Sequence, residues 1–246
     1  MPAHLPAPPA ITPDWALFLD VDGTLLDFAD APGDVLVQPE LIDVLAVLHG
    51  RLDGALALVS GRTLVQLDEL FAPLHLPAAG LHGLERRDDG HISRDARPPA
   101  LDGVLAAARS LAAKFPGARI EDKGVAVALH WRGAPAAEEP LREFASSALI
   151  DLPGYHLQPG NNVLELRPDG AHKGEAVVDL LALPPFKGRR PVFVGDDLTD
   201  EHAFTAVASH GGFGVLVGPR QPTAARYALH DPAAVRAWLE EGLSLA

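Results

Sequence analysis

The chain has 246 residues, 48% hydrophobic and 22% charged, enough to bury a substantial core as one large domain or as a core with a smaller module. Its formal net charge of −13 weighs against wrapping a nucleic-acid backbone or docking on an anionic membrane, and leaves room for a phosphorylated small molecule in a locally cationic or metal-bearing pocket. The absence of cysteine excludes disulfides, thiolate nucleophiles and Cys-ligated zinc.

Residues 1–13 are rich in Pro and Ala (Pro2, Pro6, Pro8, Pro9, Pro13) and lack the basic start and apolar run of a secretion signal, so a loose or disordered tail is expected. No apolar stretch approaches the roughly 20 residues of a membrane span, and a soluble chain in the cytoplasm is the expectation. Trp15 to Asp20 reads as a buried strand opening into the turn Val21-Asp22-Gly23-Thr24. Leu41 to Leu48 has helical spacing, Gly54 to Val59 is a second buried strand ending in Ser60-Gly61-Arg62, and Leu64 to Leu70 returns to helix.

The rhythm then changes. Leu101 to Phe115 predicts a helix, followed by strands at Ala118 to Glu121 and Val125 to Arg132 around the turn Asp122-Lys123-Gly124. A helix over Ala136 to Leu149 and strands at Tyr155 to Leu157 and Asn162 to Arg167 complete an αββαββ unit. Strand parity sends Val125, Val127, Leu129 and Trp131 one way and Ala126, Ala128, His130 and Arg132 the other; Leu164 and Leu166 likewise oppose Val163, Glu165 and Arg167. One face suits packing under the two helices, and the other is small and polar. Past this unit, Lys173 opens a helix running to Leu181, Pro191 to Val194 is a strand running into Gly195-Asp196-Asp197, Asp200 to Ala208 a helix, and Phe213 to Val217 a strand. Strands alternating with helices indicate an α/β fold: a doubly wound, Rossmann-like parallel-sheet core over 14–96 and 169–246, with an inserted α+β cap over 97–168.

Asp20, Ser60 and Asp196 each follow a buried strand, and that edge of an open α/β sheet is where ligands bind. Gly23 permits a sharp turn, so Asp20 can serve as a nucleophile while Asp22 reaches the leaving group or the attacking water as acid and base. Mg²⁺ takes hard oxygen donors and only one or two carboxylates, which Asp20 and Asp196 can supply. Asp197 and Asp200 stand behind those ligands or cap the helix that follows. Phosphoryl transfer needs fixed donors and a fixed cation, for which Ser60 with the amides after it and Lys173 are the candidates.

The order Asp20-Val21-Asp22-Gly23-Thr24, Ser60, Lys173, Gly195-Asp196-Asp197 resembles the four motifs of the haloacid-dehalogenase superfamily, and the insert is similar to its larger cap. More narrowly, Ala16 to Gly218 resembles the trehalose-6-phosphate phosphatases in Gly80-Leu81-His82-Gly83-Leu84-Glu85, Glu121-Asp122-Lys123-Gly124, Leu129-His130-Trp131-Arg132, Leu164-Glu165-Leu166-Arg167-Pro168 and Gly195-Asp196-Asp197-Leu198-Thr199-Asp200-Glu201. The resemblance implies hydrolysis of trehalose 6-phosphate in trehalose biosynthesis through an aspartyl-phosphate on Asp20, with Asp22 as acid–base. It implies Mg²⁺ held by the Asp20 carboxylate, the Asp22 backbone carbonyl and Asp196, and phosphate held by Ser60, Gly61 and Lys173. Glu121, Lys123, Arg132 and Glu165 would meet the sugar, with His82 and Arg62 as further substrate contacts. The expected partner is a small-molecule sugar phosphate, with no nucleic acid or membrane, and the chain is expected to be a monomer. Phosphatases of sucrose phosphate, mannosyl-3-phosphoglycerate or hexose phosphates share the core and a related cap, and a non-catalytic sugar-phosphate sensor is the alternative from another class. One departure stands out: Asn161 and Asn162 occupy the place where the family often carries Lys, so an amide replaces a charge.

Overall fold

Five consecutive buried residues form β1 (Trp15–Leu19), the pattern of a strand covered on both faces. The computed structural model describes residues 5–27, 37–88, 91–94, 96–170 and 172–244. After β1 comes α1 (Pro39–Arg51), with Pro in its first turn and Leu41, Val44, Leu45 and Leu48 buried at helical spacing. β2 (Leu56–Val59) is again wholly buried, and α2 (Leu64–Phe71) starts from a capping box in which Thr63 and Gln66 exchange bonds. The short β3 (Ala78–Gly80) follows, then β4 (Glu85–Asp88) and β5 (His91–Arg94).

The chain divides into two compact units, one made from its two ends and one spanning Arg94–Gly170. Within the latter lie α3 (Ala100–Ala112), β6 (Arg119–Asp122), β7 (Val127–His130), α4 (Glu138–Ala148), β8 (Tyr155–Gly160) and β9 (Val163–Pro168). Its antiparallel sheet has the order β6-β7-β9-β8. Val127, Leu129, Trp131, Leu164 and Leu166 form one core with Leu101, Leu105 and Ala108 of α3 and Leu141 and Ala145 of α4. That is the face parity assigns to the helices. On the other face Ala126 and Ala128 are also buried, at 2% and 0% exposure. Ala128 lies in register between Glu121 and Glu165, flanked by acids whose side chains are tied to neighbouring bases. Arg132 falls in the exposed turn after β7, where strand parity no longer applies. Asn162 adopts a left-handed conformation (φ 59°) between β8 and β9, a backbone that Asn tolerates better than Lys.

The chain then returns through α5 (Lys173–Leu181), β10 (Arg190–Gly195), α6 (Asp200–Ser209), β11 (Phe213–Val217), β12 (Tyr227–Leu229) and α7 (Pro232–Glu241). Among the described residues the large sheet has eight strands in the order β12-β11-β10-β1-β2-β3-β4-β5, parallel from β12 to β3. The reversal comes at β4, which runs antiparallel to β3. Leu19 is in register with both Val194 and Leu58, so the carboxyl ends of β1, β10 and β2 finish on one rim. Asp20, Asp196 and Ser60 are brought there by that register.

The expected loose tail is corrected by the structure for residues 5–13. Ile11 is 5% exposed within the main core, and Trp238 donates its indole N–H to the Pro9 carbonyl at 3.0 Å. The Ala228 amide donates to the Pro6 carbonyl at 3.0 Å, and Arg189 donates to that of Pro13 at 2.5 Å. Prolines lack an N–H but keep a carbonyl, and their restricted backbone lowers the entropic cost of being held. Residues 1–4 lie outside the described ones. No helix among the described residues is long and apolar enough to cross a membrane.

Candidate active site

β1 ends at Leu19, and the next residues form a tight turn: the amides of Thr24, Leu25 and Leu26 all donate to the Val21 carbonyl, and Gly23 takes φ 81°. Asp20 is thereby left at the strand end, 4% exposed. Lys173, the first residue of α5, is 3% exposed and donates from Nζ to Asp20 Oδ1 at 2.7 Å and to Asp200 Oδ1 at 2.6 Å. The helix that carries it is capped by His172, whose Nδ1 accepts from the Glu175 amide at 3.1 Å.

Asp200 is wholly buried, and its second oxygen accepts from the amides of Asp196 at 2.9 Å and Asp197 at 3.0 Å. It therefore reaches back from α6 to brace the loop after β10 rather than capping the helix. That approach requires glycine at 195, where a Cβ would stand 2.4 Å from the Asp200 carboxyl carbon. The Thr24 hydroxyl lies 3.3 Å from Asp20 Oδ2 and 3.2 Å from Asp196 Oδ1, linking the two acids. Asp197 is exposed and accepts from the Thr199 amide and hydroxyl at 2.8 and 2.6 Å, holding the entry to α6.

Asp20, Asp196 and Asp200 each bring a carboxylate oxygen within 4.8 Å of the others. Burial and the charges of Asp196 and Asp197 push Asp20 up to about 7, against the pull of Lys173. Burial with Asp200 and Asp197 nearby pushes Asp196 up to about 7, and burial with Asp20 and Asp197 raises Asp200 to about 8. Burial alone would depress Lys173, but Asp20, Asp200 and Asp197 more than offset it and hold it raised. Three carboxyl groups thus crowd beside one ammonium, each held above the usual carboxylate range by burial and by its neighbours, so a cation among these hard oxygen donors would favour their ionised forms. A divalent cation that prefers oxygen fits both the donors and the charge. Of the three, Asp20 and Asp196 could hold such a cation, because both Asp200 oxygens already accept bonds from Lys173 and the loop amides.

The Asp22 carboxylate is not part of this cluster. It forms a two-pronged pair with Arg62, at 2.7 Å from Nε and 2.6 Å from Nη2. Ser60 is 1% exposed, and its Oγ accepts from the Arg62 amide at 3.2 Å. His82, after β3, donates its amide to the Ser60 carbonyl at 2.9 Å, and its ring lies against Gly61. Asp20, Ser60, Lys173, Asp196 and Asp200 therefore share the rim of one sheet, with Arg62 tying Asp22 to the loop after β2. In the insert, Lys123 Nζ meets Glu165 Oε1 at 2.5 Å and His130 Nε2 meets Glu121 Oε2 at 3.0 Å, two side-chain pairs on the acids that flank Ala128.

Arg220 and the Thr24 hydroxyl were not legible as site groups. Arg220 donates from Nε to the Asp196 carbonyl at 3.2 Å and from Nη2 to Glu201 at 2.5 Å, and Glu201 accepts from the Ala224 amide at 2.7 Å. The loop carrying Asp196 is thus held from the β11–β12 connection as well as by Asp200.

The family model described as trehalose-phosphatase matches residues 18–233. A probable trehalose-phosphate phosphatase of Sinorhizobium fredii is 46% identical over 211 residues, covering 85% of this chain and 80% of the relative. The trehalose-6-phosphate phosphatase of Escherichia coli is 41% identical over 234 residues, covering 94% and 88%. Among solved structures, a trehalose-6-phosphate phosphatase related protein superposes with a TM-score of 0.74 at 27% identity, covering 91% of this chain and 95% of its own.

Proposed function

Because the chain belongs to the trehalose-phosphatase family, a phosphatase family of the haloacid-dehalogenase superfamily, we propose that it hydrolyses trehalose 6-phosphate to trehalose and phosphate with Mg²⁺ and an aspartyl-phosphate on Asp20. The observation that supports this reading most is the buried Asp20–Lys173 pair beside Asp196, carboxylates in excess of cations where an anionic substrate must approach.

In this reading an Asp20 carboxylate oxygen attacks phosphorus and the bond to the sugar oxygen breaks. Asp22 supplies the proton that the departing alkoxide needs. Water then attacks the phosphorus of the acyl phosphate, Asp22 takes its proton, and the Asp20 carboxylate is regenerated. Ser60, the Gly61 amide and Lys173 hold the phosphoryl oxygens as charge spreads over them. Mg²⁺ held by Asp20, Asp196 and the Asp22 backbone carbonyl would screen the repulsion between the nucleophile and the phosphate. Arg62 keeps the Asp22 carboxylate at the same rim as Ser60.

Metal removal tests this directly. Excess chelator is expected to abolish phosphate release, and Mg²⁺ to restore it and to raise the melting temperature, since a cation that binds the folded acids stabilises by mass action. Full activity in excess chelator, or no thermal shift with Mg²⁺, would reject the assignment.

We further propose that the insert recognises the sugar through Glu121, Lys123, Arg132 and Glu165. A carboxylate repels phosphate but accepts bonds from hydroxyls, at about 1.5–3 kcal/mol for a bond to a charged group. Glu165→Ala is therefore expected to lower kcat/KM for trehalose 6-phosphate about ten-fold or more, with little change on a small aryl phosphate. Unchanged kinetics on the disaccharide phosphate would remove Glu165 from recognition; equal losses on both substrates would indicate a damaged insert, because Glu165 also pairs with Lys123.

A further inference from the structure

The segment after β3 is built against its own backbone preferences. Leu81 and His82 take φ 51° and 57°, left-handed values uncommon outside Gly, Asn, Asp and His, and strained for the Leu. They are kept there by two backbone bonds to the loop after β2: the Leu81 amide to the Arg62 carbonyl at 2.8 Å, and the His82 amide to the Ser60 carbonyl at 2.9 Å. Both neighbouring glycines are closely packed. A Cβ on Gly80 would stand 2.9 Å from the Arg62 carbonyl oxygen, and one on Gly61 would stand 2.8 Å from His82 Nε2 and 3.0 Å from Cε1. Gly61 is not among the left-handed residues, so its lack of a side chain answers to the imidazole beside it rather than to its own backbone.

We propose that His82 is a positioning residue, whose ring edge wedges against Gly61 and fixes the backbone of Ser60-Gly61-Arg62 for phosphate binding. This rests on the proposed role of that loop and replaces direct contact between His82 and the substrate. The two amide bonds pin the backbone from which the ring projects, and the ring in this orientation sets how close Gly61 can sit. The loop in turn carries the Ser60 hydroxyl and the Arg62 guanidinium that pairs with Asp22. A shift of a few tenths of an ångström at Gly61 would therefore move the phosphate donors and the partner of Asp22 together.

A double-mutant cycle decides it. The parent enzyme, Gly61→Ala, His82→Asn and the double variant are compared with Mg²⁺ present. The measurements are kcat/KM on trehalose 6-phosphate, the binding constant of inorganic phosphate by calorimetry and by inhibition, and thermal midpoint. Asn is chosen because it accepts the left-handed backbone while removing the ring. Gly61→Ala alone is expected to lose about ten-fold in kcat/KM and in phosphate affinity, within the range of coupling for touching residues. In the His82→Asn background the same change should cost less than about three-fold, since the methyl enters the space the ring has left. His82→Asn alone should weaken phosphate binding about five-fold or more, whatever its melting point. Equal costs of Gly61→Ala in the two backgrounds would overturn the inference, and so would a His82→Asn enzyme that binds phosphate like the parent. Should Gly61→Ala fail to fold, the phosphate affinity of His82→Asn decides alone. A parent protein that binds phosphate yet hydrolyses no monoester counts against the proposed activity, while the cycle still decides what His82 does.

Discussion

An Asp20→Asn protein is expected to fold, to melt no lower than the parent in the absence of metal, and to turn over trehalose 6-phosphate at least about four orders of magnitude more slowly. The two halves of that result have one cause. Asp20 sits on an apolar strand end where burial and the neighbouring acids work against its charge. Replacing it with a neutral amide of the same shape removes one of the carboxylates crowding the site, so the fold is relieved. The same substitution takes away the proposed oxygen nucleophile, and an amide cannot replace it. Measuring phosphate release and thermal midpoint on one sample checks both halves. Residual turnover near the parent rate would reject covalent catalysis by Asp20, and a collapse of the midpoint would show that the carboxylate holds the fold together.

Lys173→Met is expected to fail in both respects. Lys173 is buried and is the partner of both Asp20 and Asp200, with ammonium–oxygen distances of 2.7 and 2.6 Å. Methionine keeps much of the length of the side chain and none of the charge, so the acids lose their counterion while staying buried. Breaking a buried pair by removing one member costs about 3–5 kcal/mol. Turnover should fall about a hundred-fold or more, the scale on which removing one fixed electrostatic group acts. Mg²⁺ should recover part of the lost stability, because a dication can take over some of the ammonium's role toward Asp20. Urea unfolding with and without Mg²⁺, alongside steady-state kinetics, measures each part. A Lys173→Met enzyme with parental stability and rate would mean that the pair is incidental.

What could be read from the amino acids alone follows the physics of each segment. Trp15 to Leu19 and Phe213 to Val217 are continuous apolar runs, and a strand buried on both faces has few other readings. β4 escaped notice because Glu85-Arg86-Arg87-Asp88 has no apolar alternation; it gains its strand from pairing with β3. α7 carried a visible signal, Asp231 before Pro232, and Asp231 does accept from the Ala234 amide at 2.8 Å. The Pro-rich start was misread because composition reports local stiffness, whereas the anchoring of Ile11, Pro6 and Pro9 is tertiary. At the site, Asp20, Ser60, Lys173 and Asp196 were legible because strand ends and helix starts mark their positions. Arg220 was not, since its partner is a backbone carbonyl 24 residues away. The Asp22–Arg62 pair spans 40 residues and depends on the register of β1 against β2, which sequence periodicity cannot report. Asn162, which the family resemblance marks as a lost charge, suits the left-handed turn it occupies.

Phosphate release from trehalose 6-phosphate, measured beside sucrose 6-phosphate and glucose 6-phosphate with Mg²⁺, is the most direct measurement. The buried acids and Lys173, in their proposed roles, would serve any phosphate monoester, whereas hydroxyl-binding groups, as proposed for Glu165, would discriminate among sugars. The kcat/KM for trehalose 6-phosphate is expected to exceed that for either other substrate by about ten-fold or more, the worth of one charged hydroxyl contact. Comparable rates on all three substrates, or a preference for sucrose 6-phosphate or glucose 6-phosphate, would contradict it.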